Sequence, residues 1–95
     1  MDDPRTELFN NYRLLVEIAK NFLDLDTNQH LVLPNGQRLT RVTVRSLFER
    51  DFGASHLLSG YQIKLLRDNI NAILRGDVHM SYEEYYQVIF ETACA

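Results

Sequence analysis

Four arginines lie close together in the middle of the chain, at Arg38, Arg41, Arg45 and Arg50. Guanidinium groups match phosphate oxygens in geometry and charge, and on a helix Arg41 and Arg45 would share a face. This segment indicates an anion site or a nucleic-acid contact. The alternative is that the arginines form salt bridges with the acidic ends of the chain, which as a whole has a net charge of -3.

Tyrosines form a second group, with Tyr82, Tyr85 and Tyr86 in one segment and Tyr61 earlier in the chain. Tyrosine combines an apolar ring with a hydroxyl, so it suits half-buried positions and is enriched at interfaces. These residues therefore indicate a docking surface for a protein partner or a second copy of the chain. The alternative is packing at a helix seam with the hydroxyls reaching water.

Residues typical of catalysis or metal binding are poorly placed. The three histidines form no His-x-x-x-His pair, and the single cysteine, Cys94, makes no zinc motif or hydrolase signature. An Asp-x-Asp-x-Asn spacing at 24–28 suggests a calcium loop, but Gln29 and Asn35 occupy the positions that need glycine and glutamate. We therefore expect no enzyme activity, no cofactor and no metal site.

Length and composition favour one globular domain over residues 1–95. The chain has 45% hydrophobic and 24% charged residues, which is ordinary for a folded domain. One cysteine favours a reducing compartment, and the start of the chain lacks the apolar run of a signal peptide. No apolar stretch is long enough for a membrane span. We expect a cytoplasmic protein that does not bind membranes.

The first helix is predicted to begin after Asp3, which can cap it, with Pro4 in its first turn. Its apolar residues between Leu8 and Leu23 cover more than half of the helix circumference. Such a helix has to be covered on two sides, either by its own chain or by a second molecule. The polar segment 24–28 is predicted to end it.

Asn35-Gly36 predicts a tight turn, and therefore a hairpin that pairs residues 31–33 with 37–39. A second helix is predicted from about Thr43 to Phe52, with Gly53 as its left-handed stop. Its apolar positions, which we expect to be buried, are Val44, Leu47, Phe48 and Phe52.

Two capping boxes predict the last two helices, one formed by Ser59 with Gln62 and the other by Ser81 with Glu84. The third helix should run to Arg75, and the fourth from Tyr82 to about Ala93. Helix 3 has a main apolar stripe and a smaller one on the opposite side, so it also needs contacts from two directions.

These observations predict a mainly α fold, a compact four-helix domain with one short β-hairpin between helices 1 and 2. The excess apolar surface on helices 1 and 3 and the tyrosine group favour a non-enzymatic protein-interaction or regulatory module that forms a homodimer. The alternative function is a nucleic-acid-binding regulator that uses the arginines of residues 38–50. The sequence identifies neither the partner nor the pathway.

Overall fold

The structure of the protein, a computed structural model, describes residues 3–25 and 30–90. In this part of the chain the elements follow the order α1 (Pro4–Lys20), β1 (Leu31–Val32), β2 (Arg38–Leu39), α2 (Arg41–Phe52), α3 (Gly60–Arg75) and α4 (Tyr82–Phe90). The two strands form an antiparallel hairpin between the first two helices. The predicted fold class is thereby confirmed.

The start of α1 follows the predicted cap. The Asp3 carboxylate accepts a hydrogen bond of 2.9 Å from the Arg5 amide, and Pro4 is the first helical residue. The helix ends at Lys20, earlier than predicted, and hydrogen-bonded turns continue the chain to Leu25. The Asn21 side chain donates to a backbone carbonyl of the last turn, and such bonds compete with helix continuation. Residues 26–28 of the predicted stop lie outside the described residues.

The hairpin forms where the turn signal predicted it, with two residues in each strand rather than three. Leu31 pairs with Leu39, and Val32 pairs with Arg38. The Gly36 amide donates to the Leu33 carbonyl at 2.8 Å, and Gly36 has a φ of 85° that glycine adopts without strain. Leu39 is buried, so the second strand holds the hairpin on the helices.

The second helix begins two residues before the predicted start. Thr40 is the cap, since its hydroxyl accepts a hydrogen bond of 3.2 Å from the Thr43 amide. The helix ends at Phe52 as predicted, but the expectation of a left-handed Gly53 was wrong, because its φ is -61°. A Cβ atom at Gly53 would lie 2.7 Å from the Glu49 carbonyl oxygen, so close approach explains the glycine.

The third helix has both predicted end signals. Ser59 and Gln62 form a reciprocal capping box, with the Gln62 side chain accepting from the Ser59 amide and the Ser59 hydroxyl accepting from the Gln62 amide. Gly76 follows the last turn in the left-handed conformation, with a φ of 78°. A side-chain capping box therefore sets the start of α3, and the backbone freedom of glycine sets its end.

The fourth helix starts at its predicted capping box. The Ser81 amide donates to the Glu84 carboxylate and the Glu84 amide donates to the Ser81 hydroxyl, each at 3.2 Å. The described helix ends at Phe90, and its predicted end at about Ala93 lies outside the described residues.

The core lies around α1, which packs against α2, α3 and α4. Its own chain therefore supplies the two-sided cover that the apolar pattern of α1 requires. The largest fully buried side chains come from every helix and the turn after α1; they are Tyr12, Val16, Phe22, Val44, Phe48, Phe52, Leu66, Ile70, Ile73 and Ile89.

Candidate functional site

Half-exposed aromatic rings gather where α4 packs on the first half of α1. Tyr82, Tyr86 and Phe90 surround the buried ring of Phe9, with ring centroids 5.2, 5.1 and 5.8 Å from it. Tyr82 is 49% exposed and Tyr86 is 44% exposed. We call Phe9, Tyr82, Tyr86 and Phe90 the aromatic platform. Its edge-to-face contacts hold two tyrosine rings in fixed positions at the surface.

The other two tyrosines of the predicted docking group lie elsewhere. Tyr85 is buried between Phe9 and Tyr12, and this burial raises the pKa of its phenol, as do Tyr82 and Glu17, while Arg13 lowers it. Tyr85 is thus a core residue that a partner does not reach while the fold is intact. Tyr61 is 70% exposed on α3 and has no ring contact within the described chain.

Charged side chains of both signs border the aromatic platform. Arg5 and Arg13 lie one turn to either side of Phe9 on α1. Glu83 lies on α4 three residues before Tyr86, in an exposed position. The rim of the platform therefore carries positive groups one turn to either side of Phe9 on α1 and a negative group on α4. Glu17, one turn beyond Arg13, adds a negative group to α1.

The four predicted anion-binding arginines do not form one surface. Arg41 is half-buried, and its guanidinium donates to the carbonyls of Phe22, Leu25 and Leu74 at 3.0 to 3.2 Å. It also lies 5.2 Å from the centre of the Phe22 ring. Arg41 thus joins the ends of α1 and α3 to the start of α2.

The remaining three arginines are exposed and separated. Arg38 lies on β2, and Arg50 forms an ion pair of 3.1 Å with its neighbour Asp51. Arg45 donates from Nε to the Asn71 side-chain oxygen at 2.8 Å. Of the predicted set, Arg41 lines a cleft at the ends of α1 and α3, and Arg45 lines a second cleft.

The cleft at Arg45 lies between α2 and α3 and has a cavity volume of about 90 Å³. Arg45, Asn71, Arg67 and Glu49 line it, and its floor consists of two buried apolar side chains, Phe48 and Ile70. We call it the arginine cleft.

Within the arginine cleft, Arg67 donates two hydrogen bonds to the Glu49 carboxylate, the longer one at 3.0 Å. This pairing lowers the pKa of Glu49 and raises the pKa of Arg67, in each case through the hydrogen bond first. Chemically, the arrangement can bind an oxyanion between two guanidinium groups.

Residue types and spacing do not single out Phe9 and Phe90, which complete the aromatic platform. They give no signal for Arg67 either, because it lies on a different helix from Arg45. Contacts between helices carry this information, and residue spacing does not.

The described residues contain no group of three or more histidine, cysteine, aspartate or glutamate side chains placed to hold a metal ion. Cys94 lies outside the described residues. Within the same described ranges, none of the helices is long and apolar enough to cross a membrane.

Comparison of the chain with protein-family models, with curated proteins and with solved structures finds no match.

Proposed function

We propose that the protein is a non-enzymatic interaction module that forms a homodimer through its aromatic platform. The observation that carries this proposal is the pair of half-exposed tyrosines, Tyr82 and Tyr86, held in place by the buried Phe9 ring. Rigid aromatic rings bring a large contact area at little entropic cost, which is why they dominate the energetics of many interfaces.

A second copy is the occupant that the charges favour. Near the start of α1, Arg5 donates to the carbonyl of Phe90 at the end of α4. Further along α1, Tyr12 packs on Tyr85, which is earlier in α4, so the two helices run antiparallel. Arg13 lies four residues after Phe9 on α1, which is about 6 Å at the helical rise per residue. This displacement is toward the end of the platform at which α4 begins.

On α4, Glu83 lies about 4.5 Å from Tyr86 toward that same end, taking three residues at the helical rise. A two-fold axis parallel to the seam between α1 and α4 places α1 of one copy over α4 of the second copy. Arg13 then faces Glu83 of the second copy, and symmetry repeats the contact. The platform is thus self-complementary in charge.

The test is self-association of the full chain, measured by sedimentation equilibrium from about 1 µM to about 1 mM, which spans weak interface affinities. Arg13→Glu and Glu83→Arg should each weaken the dimer by about tenfold or more, because each reversal acts twice in a symmetric dimer. The double variant should restore association. Arg50→Glu, a matched reversal on α2, should leave it unchanged.

Two results would contradict the proposal. If the wild-type chain stays monomeric across this concentration range, it does not form the proposed homodimer. A dimer that responds equally to Arg13→Glu and Arg50→Glu does not use the aromatic platform, and charge alone then governs its association.

A regulatory role in the cytoplasm fits a small interaction module, and we include it in the proposal. The single cysteine supports the cytoplasmic location, because it favours a reducing compartment. Nucleic-acid binding stays a prediction with less support than before, because Arg41 is engaged by backbone carbonyls and Arg50 by Asp51. A titration with duplex and single-stranded DNA at low salt tests it.

A further inference from the structure

We propose that the arginine cleft between α2 and α3 binds a phosphate dianion, either free or as a small monoester. The site is separate from the aromatic platform, which α1 and α4 form. It brings Arg45 and Arg67 from different helices to one concave surface over a buried apolar floor.

The Arg45 guanidinium is oriented by one hydrogen bond and has further donors for a ligand. Asn71 holds its Nε, and its two terminal nitrogens donate to no group within residues 3–25 and 30–90. No carboxylate in these ranges forms an ion pair with it. An arginine oriented by a neutral amide keeps its full positive charge available for an anion.

Arg67 already binds an anionic group of the same chain, the carboxylate of Glu49. The two side chains make a bidentate pair, and the Arg67 guanidinium lies 5.9 Å from the centre of the Phe48 ring. The side chains are 41% and 49% exposed, so this pair exchanges readily with ions in solution. Glu49 thus occupies the position of the ligand and competes with it.

The charge balance favours a dianion. Two guanidinium groups and one carboxylate leave the cleft with a single positive charge while Glu49 remains in place, and with two when it moves away. A phosphate monoester carries close to two negative charges at neutral pH, whereas a nucleic-acid phosphodiester carries one. The buried floor of Phe48 and Ile70 limits water on one side and strengthens the ionic contacts.

The size of the cleft restricts the ligand. Its cavity volume of about 90 Å³ is well below the roughly 300 Å³ at which drug-sized ligand sites begin. The cleft therefore suits a group as small as phosphate, with any substituent lying outside it.

The experiment is a titration of the ¹⁵N-labelled full chain with phenyl phosphate at a pH of about 7.5, above the second phosphate pKa of about 6. The Nε–Hε signals of Arg45 and Arg67 should shift together and give one dissociation constant. Inorganic phosphate in a parallel titration distinguishes the free anion from the ester as the better ligand, and binding of either supports the site.

Variants separate this site from general charge attraction. Arg45→Gln and Arg67→Gln should each weaken binding by at least about tenfold, as expected for the loss of a hydrogen bond to a charged group. Arg50→Gln removes the same charge from the exposed side of α2 and should change nothing. Glu49→Gln removes the competing charge and should tighten binding by about two- to fivefold, the size of an exposed ion pair.

The Glu49→Gln result decides the proposal, because a folding defect cannot raise affinity. Unchanged or weaker binding by this variant would overturn the inference. So would equal losses in Arg45→Gln and Arg50→Gln. Tighter binding of duplex DNA or dimethyl phosphate than of phenyl phosphate would also overturn it, and would favour nucleic-acid binding instead.

Discussion

Single side chains in the core determine how three parts of the chain are oriented. The Tyr12 hydroxyl donates to the Leu66 carbonyl at 2.9 Å and accepts from the Asn69 side-chain amide at 2.9 Å. The Asn69 oxygen in turn accepts from the Met80 amide at 2.6 Å. This network links α1, α3 and the segment before α4, and every buried side-chain polar atom of the described residues has a partner. Satisfied buried groups favour one packing arrangement over its alternatives.

Stability at alkaline pH should report on this network. Burial raises the pKa of the Tyr12 phenol far above its usual value, against a lowering by the hydrogen bond from Asn69. In the unfolded chain Tyr12 loses its proton at a pH of about 10. The folded chain keeps it, so the contribution is complete below that pH and is lost progressively above it. Urea unfolding at pH of about 8 and about 10.5 should therefore show lower stability at the higher pH.

The matched variant is Tyr12→Phe, which keeps the ring and removes the titrating group. At pH of about 8 it should lose about 1–3 kcal/mol, because Leu66 and Asn69 keep unsatisfied polar groups. Its loss of stability between the two pH values should be smaller than that of the wild type, with Tyr85 accounting for part of the remainder. An identical pH dependence in both proteins would exclude Tyr12 as the cause.

The sequence shows which residue types suit an interface, but it does not show which of them are exposed in the fold. It singled out Tyr82 and Tyr86, which are exposed, together with Tyr85, which is not. Periodicity assigns a residue to a face of its own helix, but a neighbouring helix decides whether that face meets solvent. Asn69 did carry a usable signal, because it stands among apolar residues three and four positions away on the inner face of α3.

Helices and turns are the scale at which the sequence predicted most. Ser59 with Gln62 and Ser81 with Glu84 marked the starts of α3 and α4, and Gly76 marked the end of α3. These signals act through bonds between residues close in sequence, so they can be seen without the fold. The end of α1 was predicted too late because the apolar pattern continues through Phe22, which is buried beyond the helix.

Two glycines at opposite ends of α3 should respond differently to alanine. Gly76 has a φ of 78°, and a Cβ there meets only Leu23 at an ordinary 4.0 Å, so backbone strain alone should make Gly76→Ala cost about 1–2 kcal/mol. Gly60 is the first residue of the helix, with open space around a Cβ. Gly60→Ala should be neutral or stabilise by up to about 1 kcal/mol.

Chemical denaturation with a common slope measures both variants. Equal effects of the two alanines would show that the left-handed conformation at the end of α3 contributes nothing to stability.

For the whole molecule, the main question is how much apolar surface four helices can cover. The sequence showed that α1 and α3 have apolar residues on more than one side. The fold covers most of this surface itself, because α1 packs on three helices and the segment leading into α4 lies beside Leu65 and Ala72. What remains exposed includes Leu14 on α1 and Tyr61 on α3. The apolar residues on several sides of α1 and α3 therefore support self-association less than the exposed rings of the aromatic platform do.

Core and surface positions can be separated by truncating apolar side chains of each kind. Phe22 lies beneath Arg41 just after α1, Ile70 forms part of the floor of the arginine cleft, and both are almost fully buried. Phe22→Ala and Ile70→Ala should each lower the free energy of unfolding by about 2–5 kcal/mol, since each leaves a cavity. Leu14 is 62% exposed, so Leu14→Ala should change the free energy of unfolding by less than about 0.5 kcal/mol.

Urea unfolding at low protein concentration excludes any contribution from dimers. A large loss in Leu14→Ala would show that a second molecule or another part of the chain covers that side of α1, whereas an unchanged midpoint for Phe22→Ala would place Phe22 outside the core.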